Sequence, residues 1–336
     1  MRVALDAMGG DNAPREIIRG ALLAARSERV EIILVGDPAE IEKVGKEEGL
    51  PYPGIQVVPA SQRVEMDEQP STVVRQKKDS SLGVAARLVK EGKAEALVSA
   101  GNTGAAMAFA LFTWGRLPGI ERPAIAVPFP TLVGVTVLLD VGANVEVKPR
   151  YLLQYAQMGS VYAENVLGIK KPRVGLLNVG TEKTKGTAIS QEAYELLESS
   201  GLNFSGNLEG RDIPLGTADV VVCDGFCGNV VLKFTEGLAE GFFTLLRREL
   251  ARNWRTKLGA YLVKPALRGL KKRMDYSEYG GAPLLGLKGT AIISHGASDA
   301  KAIANAIRVA RESWEQDVTG KIALLGEKKS RAGSEE

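Results

Sequence analysis

The sequence predicts an α/β protein built on a mostly parallel sheet with helices on both faces. Three observations carry that expectation. Seven short apolar runs, mostly β-branched, each stop at a cluster of Gly, Asp, Asn or Ser. Stretches with helical character follow most of them, and strands alternating with helices imply parallel pairing. The 336 residues, 45% hydrophobic and 25% charged, suit one large α/β unit or two intertwined lobes.

The elements follow in order. Val3–Leu5 ends at Asp6, Gly9, Gly10 and Asp11, before a helix over Pro14–Ser27. Ile32–Val35 leads through Gly36-Asp37 to a helix over Pro38–Glu48, and a further helix is expected over Ser80–Glu91. Leu97–Val98 runs into Ser99-Ala100-Gly101-Asn102-Thr103-Gly104-Ala105 and a helix over Thr103–Trp114. Leu117–Pro130 is proline-rich, and the strand after it, ending at Asp140 and Asn144, reads as antiparallel or lobe-crossing. Helices over Pro149–Leu167 and Thr187–Ser200 flank Val174–Leu177 and its loop, Asn178 to Lys185. Val220–Val222 ends at Asp224-Gly225-Phe226-Cys227-Gly228-Asn229, before a long helix over Gly228–Gly259. Ala291–Ile293 ends at Ser294-His295-Gly296, before a helix over Ser298–Asp317. The charged stretch 326–336 reads as a disordered tail behind a single catalytic unit over 1–325.

Ligands of such sheets bind beyond the carboxyl ends of the strands, where these polar clusters sit. The Ser99–Ala105 turn is the clearest anion site: its glycines let backbone approach closely, and a helix start presents free N–H groups and a positive dipole end. Asp6, Gly9, Gly10, Asp11, Ser99, Gly101, Asn102, Thr103, Gly104, Asp140, Asn144 and Asp224 are therefore candidates for binding phosphate or substrate. The plainer reading of Asn102, Thr103 and the four aspartates is helix capping and turn formation. Lys183 and Lys185 are candidate cations for a phosphate, His295 a candidate general acid or base, and Asn229 a further catalytic candidate.

Several chemistries are excluded. No Walker A loop, G-x-G-x-x-G fingerprint or G-x-S-x-G elbow is present. A single histidine, and Cys223 and Cys227 outside C-x-x-C spacing, argue against a His-based metal site or a Cys–His nucleophile. No metal and no cofactor is called for. No apolar stretch approaches the roughly eighteen residues of a membrane span, and Met1–Asp6 reads as a strand rather than a leader.

Charge is uneven. Between Arg247 and Met274 ten basic residues face one acid, Glu249, giving +9 in a chain of net +3. Leu238, Phe242, Leu246, Leu250, Trp254, Leu258 and Leu262 recur every four residues, and Pro265 is expected to break or kink that helix. Around Leu258–Met274, Lys257, Lys264, Arg268 and Lys271 share one side, with Leu262 and Leu267 on the other. A basic, amphipathic excursion at about 245–275 suits an anionic membrane surface, an oligomer interface or an acidic protein. Arg255, Lys257, Leu258, Leu262, Lys264, Leu267, Arg268 and Lys271 are the contact candidates. Nucleic acid is disfavoured by few aromatics and no recognition motif.

Five segments together resemble one family. Asp6–Pro14, Ser99–Ala105, Leu139–Asn144, Leu177–Glu182 and Gly280–Gly286 are similar, in order and from Met1 to about Val318, to the PlsX family of bacterial phosphate acyltransferases. Cys227 stands where a threonine is expected. The resemblance implies a three-layer sandwich like that of isocitrate and isopropylmalate dehydrogenases. It also implies transfer of a fatty acyl group from acyl carrier protein to inorganic phosphate, giving acyl phosphate for phospholipid synthesis. A homodimer is implied, cytoplasmic and peripherally attached to the inner face of the cell membrane, with the membrane glycerol-3-phosphate acyltransferase as a partner. The competing readings are a metal- and NAD-dependent decarboxylating dehydrogenase on the same fold, and a non-catalytic membrane-bound scaffold for lipid synthesis.

Overall fold

The computed structural model describes residues 1–274 and 280–332, with side chains up to 270 and from 280 to 326. The first stretch is β1 (Arg2–Asp6), α1 (Arg15–Ser27), β2 (Glu31–Gly36), α2 (Pro38–Glu48), β3 (Ile55–Pro59), α3 (Pro70–Gln76), α4 (Ser81–Lys90), β4 (Ala96–Ser99) and α5 (Thr103–Trp114). Next come β5 (Ala124–Thr131), β6 (Gly134–Leu139), α6 (Pro149–Asn165), β7 (Val174–Leu177), α7 (Ala188–Glu198), β8 (Phe204–Leu208) and β9 (Val220–Val222). The chain ends with α8 (Gly225–Leu250), α9 (Trp254–Met274), β10 (Ala282–Leu285), β11 (Thr290–Ile293), α10 (Ala300–Glu315) and α11 (Val318–Ala332).

Among the described residues the strands form one eleven-stranded sheet, ordered β3-β2-β1-β4-β11-β10-β5-β6-β9-β7-β8. Seven of its ten pairings are parallel and three antiparallel, so the expected α/β class with a mostly parallel sheet is present. The antiparallel pairs are β11–β10, β10–β5 and the β5–β6 hairpin. They reverse the strands beyond β5: β6, β9, β7 and β8 run opposite to β1 to β4 and β11. The polar clusters therefore do not line one carboxyl rim, as a uniform parallel sheet would require. They approach the middle of the sheet from two opposed sets of strands.

Side chains alternate along the strands and fill both faces. On one face Ala4, Ile33, Leu97, Ile293, Val127 and Leu138 pack beneath α4 and α5 through Leu82, Ala85 and Phe109. On the other, Val3, Leu5, Ile32 and Val98 meet Ile17 of α1 and Ile303 of α10, while Val137, Leu139, Val220 and Val222 meet Tyr155 of α6 and Leu197 of α7. Helix starts carry their own caps: Asp37 accepts from Ala39 N and Glu40 N, Thr187 from Ser190 N and Asp299 from Ala302 N.

Two expectations about helices change. The long helix is interrupted at 251–253, not at Pro265. Ala251 N–H closes α8 on Arg247 O, and Asn253 Oδ1 accepts from Arg255 N and Thr256 N to start α9. Pro265 lies inside α9, which continues to Met274. The tail expected from 326 begins inside α11, helical to Ala332; residues 333–336 lie outside the described residues.

Candidate active site

Two loops on neighbouring strands form the first support. β1 and β4 pair in parallel, Leu5 opposite Val98, which brings Asp6 beside Ser99. Ser99 Oγ donates to Asp6 Oδ2 at 2.7 Å and accepts from Gly101 N at 3.0 Å. Met8 N–H donates to Asp6 Oδ1 at 3.2 Å. A Cβ at Gly9 would come 2.9 Å from Gly101 N, so only glycine lets the two loops close together. Asp11 N–H bonds Gly296 O at 2.9 Å and ties in the loop after β11. Burial pushes the Asp6 carboxyl above its ordinary range, opposed by hydrogen bonds from Ser81, Ser99, Met8 and Gly9. Asn102 caps α5, accepting from Ala105 N at 2.9 Å, while its Nδ2 donates to Met66 O at 2.9 Å and Glu68 O at 3.0 Å.

A second support follows β6. Asp140 is fully buried. Its Oδ1 accepts from Ile125 N (3.0 Å) and Ala143 N (3.1 Å), and its Oδ2 from Asn144 N (2.7 Å) and Asn144 Nδ2 (2.9 Å). Burial raises the Asp140 carboxyl against those same bonds. The first turn of α8 presses on this loop. A Cβ at Gly225 would lie 2.8 Å from Asn144 O, and one at Gly228 would collide with Asp140 O. Asp224 accepts from Cys227 N and caps the helix. Partial burial and the adjacent Asp224 carboxylate push the Cys227 thiol up to about 11, which keeps it neutral and a poor nucleophile.

Between α5 and α8, over the middle of the sheet, these supports frame a cleft of about 590 Å³. Met107, Leu111, Phe112, Val127 and Leu232 form an apolar wall. Asn229, Lys233, Glu236, Ser294 and His295 supply polar groups, and Thr103 and Gly104 bring the N-terminus of α5 to the same lining. Lys233 Nζ lies 2.9 Å from Glu236 Oε2 and 3.3 Å from His295 Nε2. Ala297 N–H donates to His295 Nδ1 at 3.2 Å. That bond assigns the ring proton to Nε2, so two N–H donors converge on one spot. Ser294 Oγ and Glu236 Oε1 are buried and have no hydrogen-bond partner.

Of the residues expected from sequence, Thr103, Gly104, Asn229 and His295 line the cleft. Asp6, Gly9, Ser99, Gly101, Asn102, Asp140, Asn144 and Asp224 form the scaffold around it, their hydrogen bonds largely satisfied internally. Gly10, at φ +104°, turns the loop that leads to Asp11. Lys183 and Lys185 follow β7, outside the cleft lining; Lys183 pairs with Glu198 at 2.8 Å and covers the Tyr194 ring. Arg255, Lys257, Leu258, Leu262, Lys264, Leu267 and Arg268 belong to α9, also outside it. Lys271 lies outside the residues whose side chains are described. Lys233, Glu236 and Ser294 are not among the site candidates expected from the sequence. The signal was the spacing of Asn229, Lys233 and Glu236, four and three residues apart on one face of a helix that starts at a glycine-rich turn. The longer apolar stripe of the same helix masked it.

Comparison with known proteins agrees with this arrangement. The model of the "Fatty acid synthesis protein" family matches residues 1–321. The phosphate acyltransferase of Heliobacterium modesticaldum is 56% identical over 323 residues, 96% of either chain. That of Desulfitobacterium hafniense is 57% identical over 316 residues, 94% of either chain. Among solved structures, a phosphotransacetylase from Streptococcus pyogenes superposes with a TM-score of 0.61 at 17% identity, over 94% of both chains. The EutD phosphotransacetylase from Staphylococcus aureus gives 0.59 at 18% identity, over 96% of this chain and 94% of the other. These two likenesses show the fold. With a family match over nearly the whole chain and relatives more than half identical to it, the protein belongs to the family of the phosphate acyltransferases and is an acyltransferase.

Proposed function

We propose that the protein moves a fatty acyl group from acyl carrier protein to inorganic phosphate, and that the acyl phosphate feeds phospholipid synthesis. The observation that carries this reading is the two-sided cleft: an apolar wall on α5 and β5 beside a cluster of N–H and O–H groups. A fatty chain lies against Met107, Leu111 and Phe112. Phosphate meets the converging donors of Lys233 and His295 and the N-terminus of α5, a combination that favours anions. A phosphate oxygen attacks the thioester carbonyl, and the donors around the cleft steady the oxyanion that forms. The thiolate leaves without a strong acid, because thiols ionise near pH 8.5. Positioning then supplies most of the acceleration.

The finer parts of the proposal rest on the α8–α9 arm. Phe234, Leu238, Phe242, Leu245, Trp254 and Leu262 are all exposed large apolar side chains on it. An apolar face of that extent calls for a partner. A second copy of the chain and the inner surface of the membrane are the partners proposed, beside the membrane glycerol-3-phosphate acyltransferase. The basic side of α9, with Lys257, Lys264 and Arg268, attracts anionic lipid and steers the acidic carrier protein. No described helix is long and apolar enough to cross a membrane, so the proposed attachment is peripheral, on the cytoplasmic side.

The test is release of free carrier-protein thiol from acyl carrier protein. Release that requires phosphate is the expected result. Thiol release without phosphate, or none at all, overturns the proposal. Reduction of NAD in the presence of magnesium would support the dehydrogenase reading instead.

A further inference from the structure

We propose that Glu236 makes the cleft selective for hydrogen phosphate over tetrahedral oxyanions that carry no proton. This rests on the acyl-transfer reading above and specifies how the acceptor is recognised. The two oxygens of Glu236 have different surroundings. Oε2 is held by Lys233 Nζ at 2.9 Å. Oε1 is buried and receives no hydrogen bond. A buried carboxylate oxygen without a donor is costly, and a ligand that brings a donor to it recovers that cost. Around it the cleft offers donors: Lys233 Nζ, His295 Nε2 at 3.3 Å from that ammonium, and the hydroxyl of Ser294, which is 6% exposed and also without a partner.

A ligand matching this set presents several oxygen acceptors and one O–H. Hydrogen phosphate has that pattern. Its unprotonated oxygens face Lys233, His295 and Ser294, and its hydroxyl donates to Glu236 Oε1. Sulfate has the same shape and charge at neutral pH but no proton, so it places lone pairs against a carboxylate. A site built around a substrate hydroxyl rejects the analogue that lacks one.

The arrangement also balances the reaction. One phosphate oxygen forms the C–O bond to the thioester carbonyl carbon. The C–S bond breaks with its electron pair on sulfur. The proton brought in on hydrogen phosphate passes through Glu236 and ends on the thiol, so no outside acid is consumed. The product's phosphoryl oxygens carry no proton, and Glu236 then disfavours the product, which promotes its release.

The experiment compares phosphate and sulfate on the whole protein. Thermal shift with each anion alone needs no acyl donor, and thiol release gives the phosphate KM and the sulfate inhibition constant. Wild type is expected to bind sulfate at least about tenfold more weakly than phosphate, as for other sites that read a hydroxyl. Glu236→Gln is expected to tighten sulfate and weaken phosphate, each by about tenfold, the scale of one hydrogen bond to a charged group. Lys233→Met weakens both anions and leaves the KM of the acyl donor unchanged. Equal binding of the two anions by wild type overturns the proposal, and that measurement stands even if a variant fails to fold. So does a Glu236→Gln protein with the wild-type ratio. Absence of phosphate-dependent thiol release, with anion discrimination intact in the thermal shift, overturns the acyl-transfer reading and leaves the selectivity standing.

Discussion

Two kinds of polar cluster lie within the middle of this sheet, and they differ in how their hydrogen bonds are spent. Around Asp6, Ser99 and Asn102, and again around Asp140 and Asn144, donors and acceptors close on one another. Around Lys233, Glu236, Ser294 and His295, two buried oxygens are left without partners and two N–H donors converge. The first kind of cluster is framework. The second is where a ligand completes the bonding. Glycine-rich loops are conspicuous in a sequence because turns demand them, yet here most of their polar groups serve the fold.

The largest test of that contrast is Asp140→Ala. It leaves the buried N–H groups of Ile125 and Asn144, and the half-buried one of Ala143, without an acceptor, and is expected to cost about 3 kcal/mol or more in urea unfolding. A loss under about 1 kcal/mol would show that the loop is not held this way. Next is Asn102→Ala, expected to lose about 1 to 2 kcal/mol as the α5 cap and the tie to residues 65–68 disappear. Unchanged stability with a raised phosphate KM would instead move Asn102 among the ligand groups, as the sequence reading has it.

The α8–α9 arm is the apolar counterpart of the open cluster, surface without a partner. Replacing Leu262 and Leu267 together by Glu is expected to abolish binding to anionic vesicles. Leu262 is exposed, while Leu267 is partly buried and shares a groove with Leu246 and Leu250 of α8, so an unfolding loss of about 1 kcal/mol is expected beside it. Retained vesicle binding would remove α9 from the proposed membrane contact.

The smallest effect concerns pH. Burial raises the Asp6 carboxyl, so the folded protein holds its proton to higher pH than the unfolded chain does. The protonated form therefore folds more favourably. Asp6's contribution is greatest below the ordinary carboxylate range and declines as pH rises through it towards the raised value. Asp6→Asn should flatten that decline in a pH series of unfolding curves. An unaltered slope would mean that Asp6 keeps its ordinary affinity for protons.

Much of this was legible in the chain. β1, β2, β4, β6, β7, β9 and β11 announce themselves as apolar runs ended by turn residues, and helix starts at Asp37, Asn102, Thr187 and Asp299 by their capping side chains. β3, β5, β8 and β10 were not. They are short, partly exposed or mixed in composition, and become strands through the neighbour that pairs with them. The break between α8 and α9 was hidden because the four-residue apolar stripe runs straight through it, while Asn253 supplies a cap that periodicity does not record.

By itself the sequence determined the α/β class, the family, the scaffold aspartates and the basic amphipathic arm, because each is written in local spacing or in motifs of consecutive residues. Only the tertiary structure decided which polar groups remain open. Lys233, paired with Glu236, meets His295 across about sixty positions of chain, because β11 inserts beside β4 while α8 starts against the Asp140 loop. Whether a buried oxygen has a partner depends on such long-range placement.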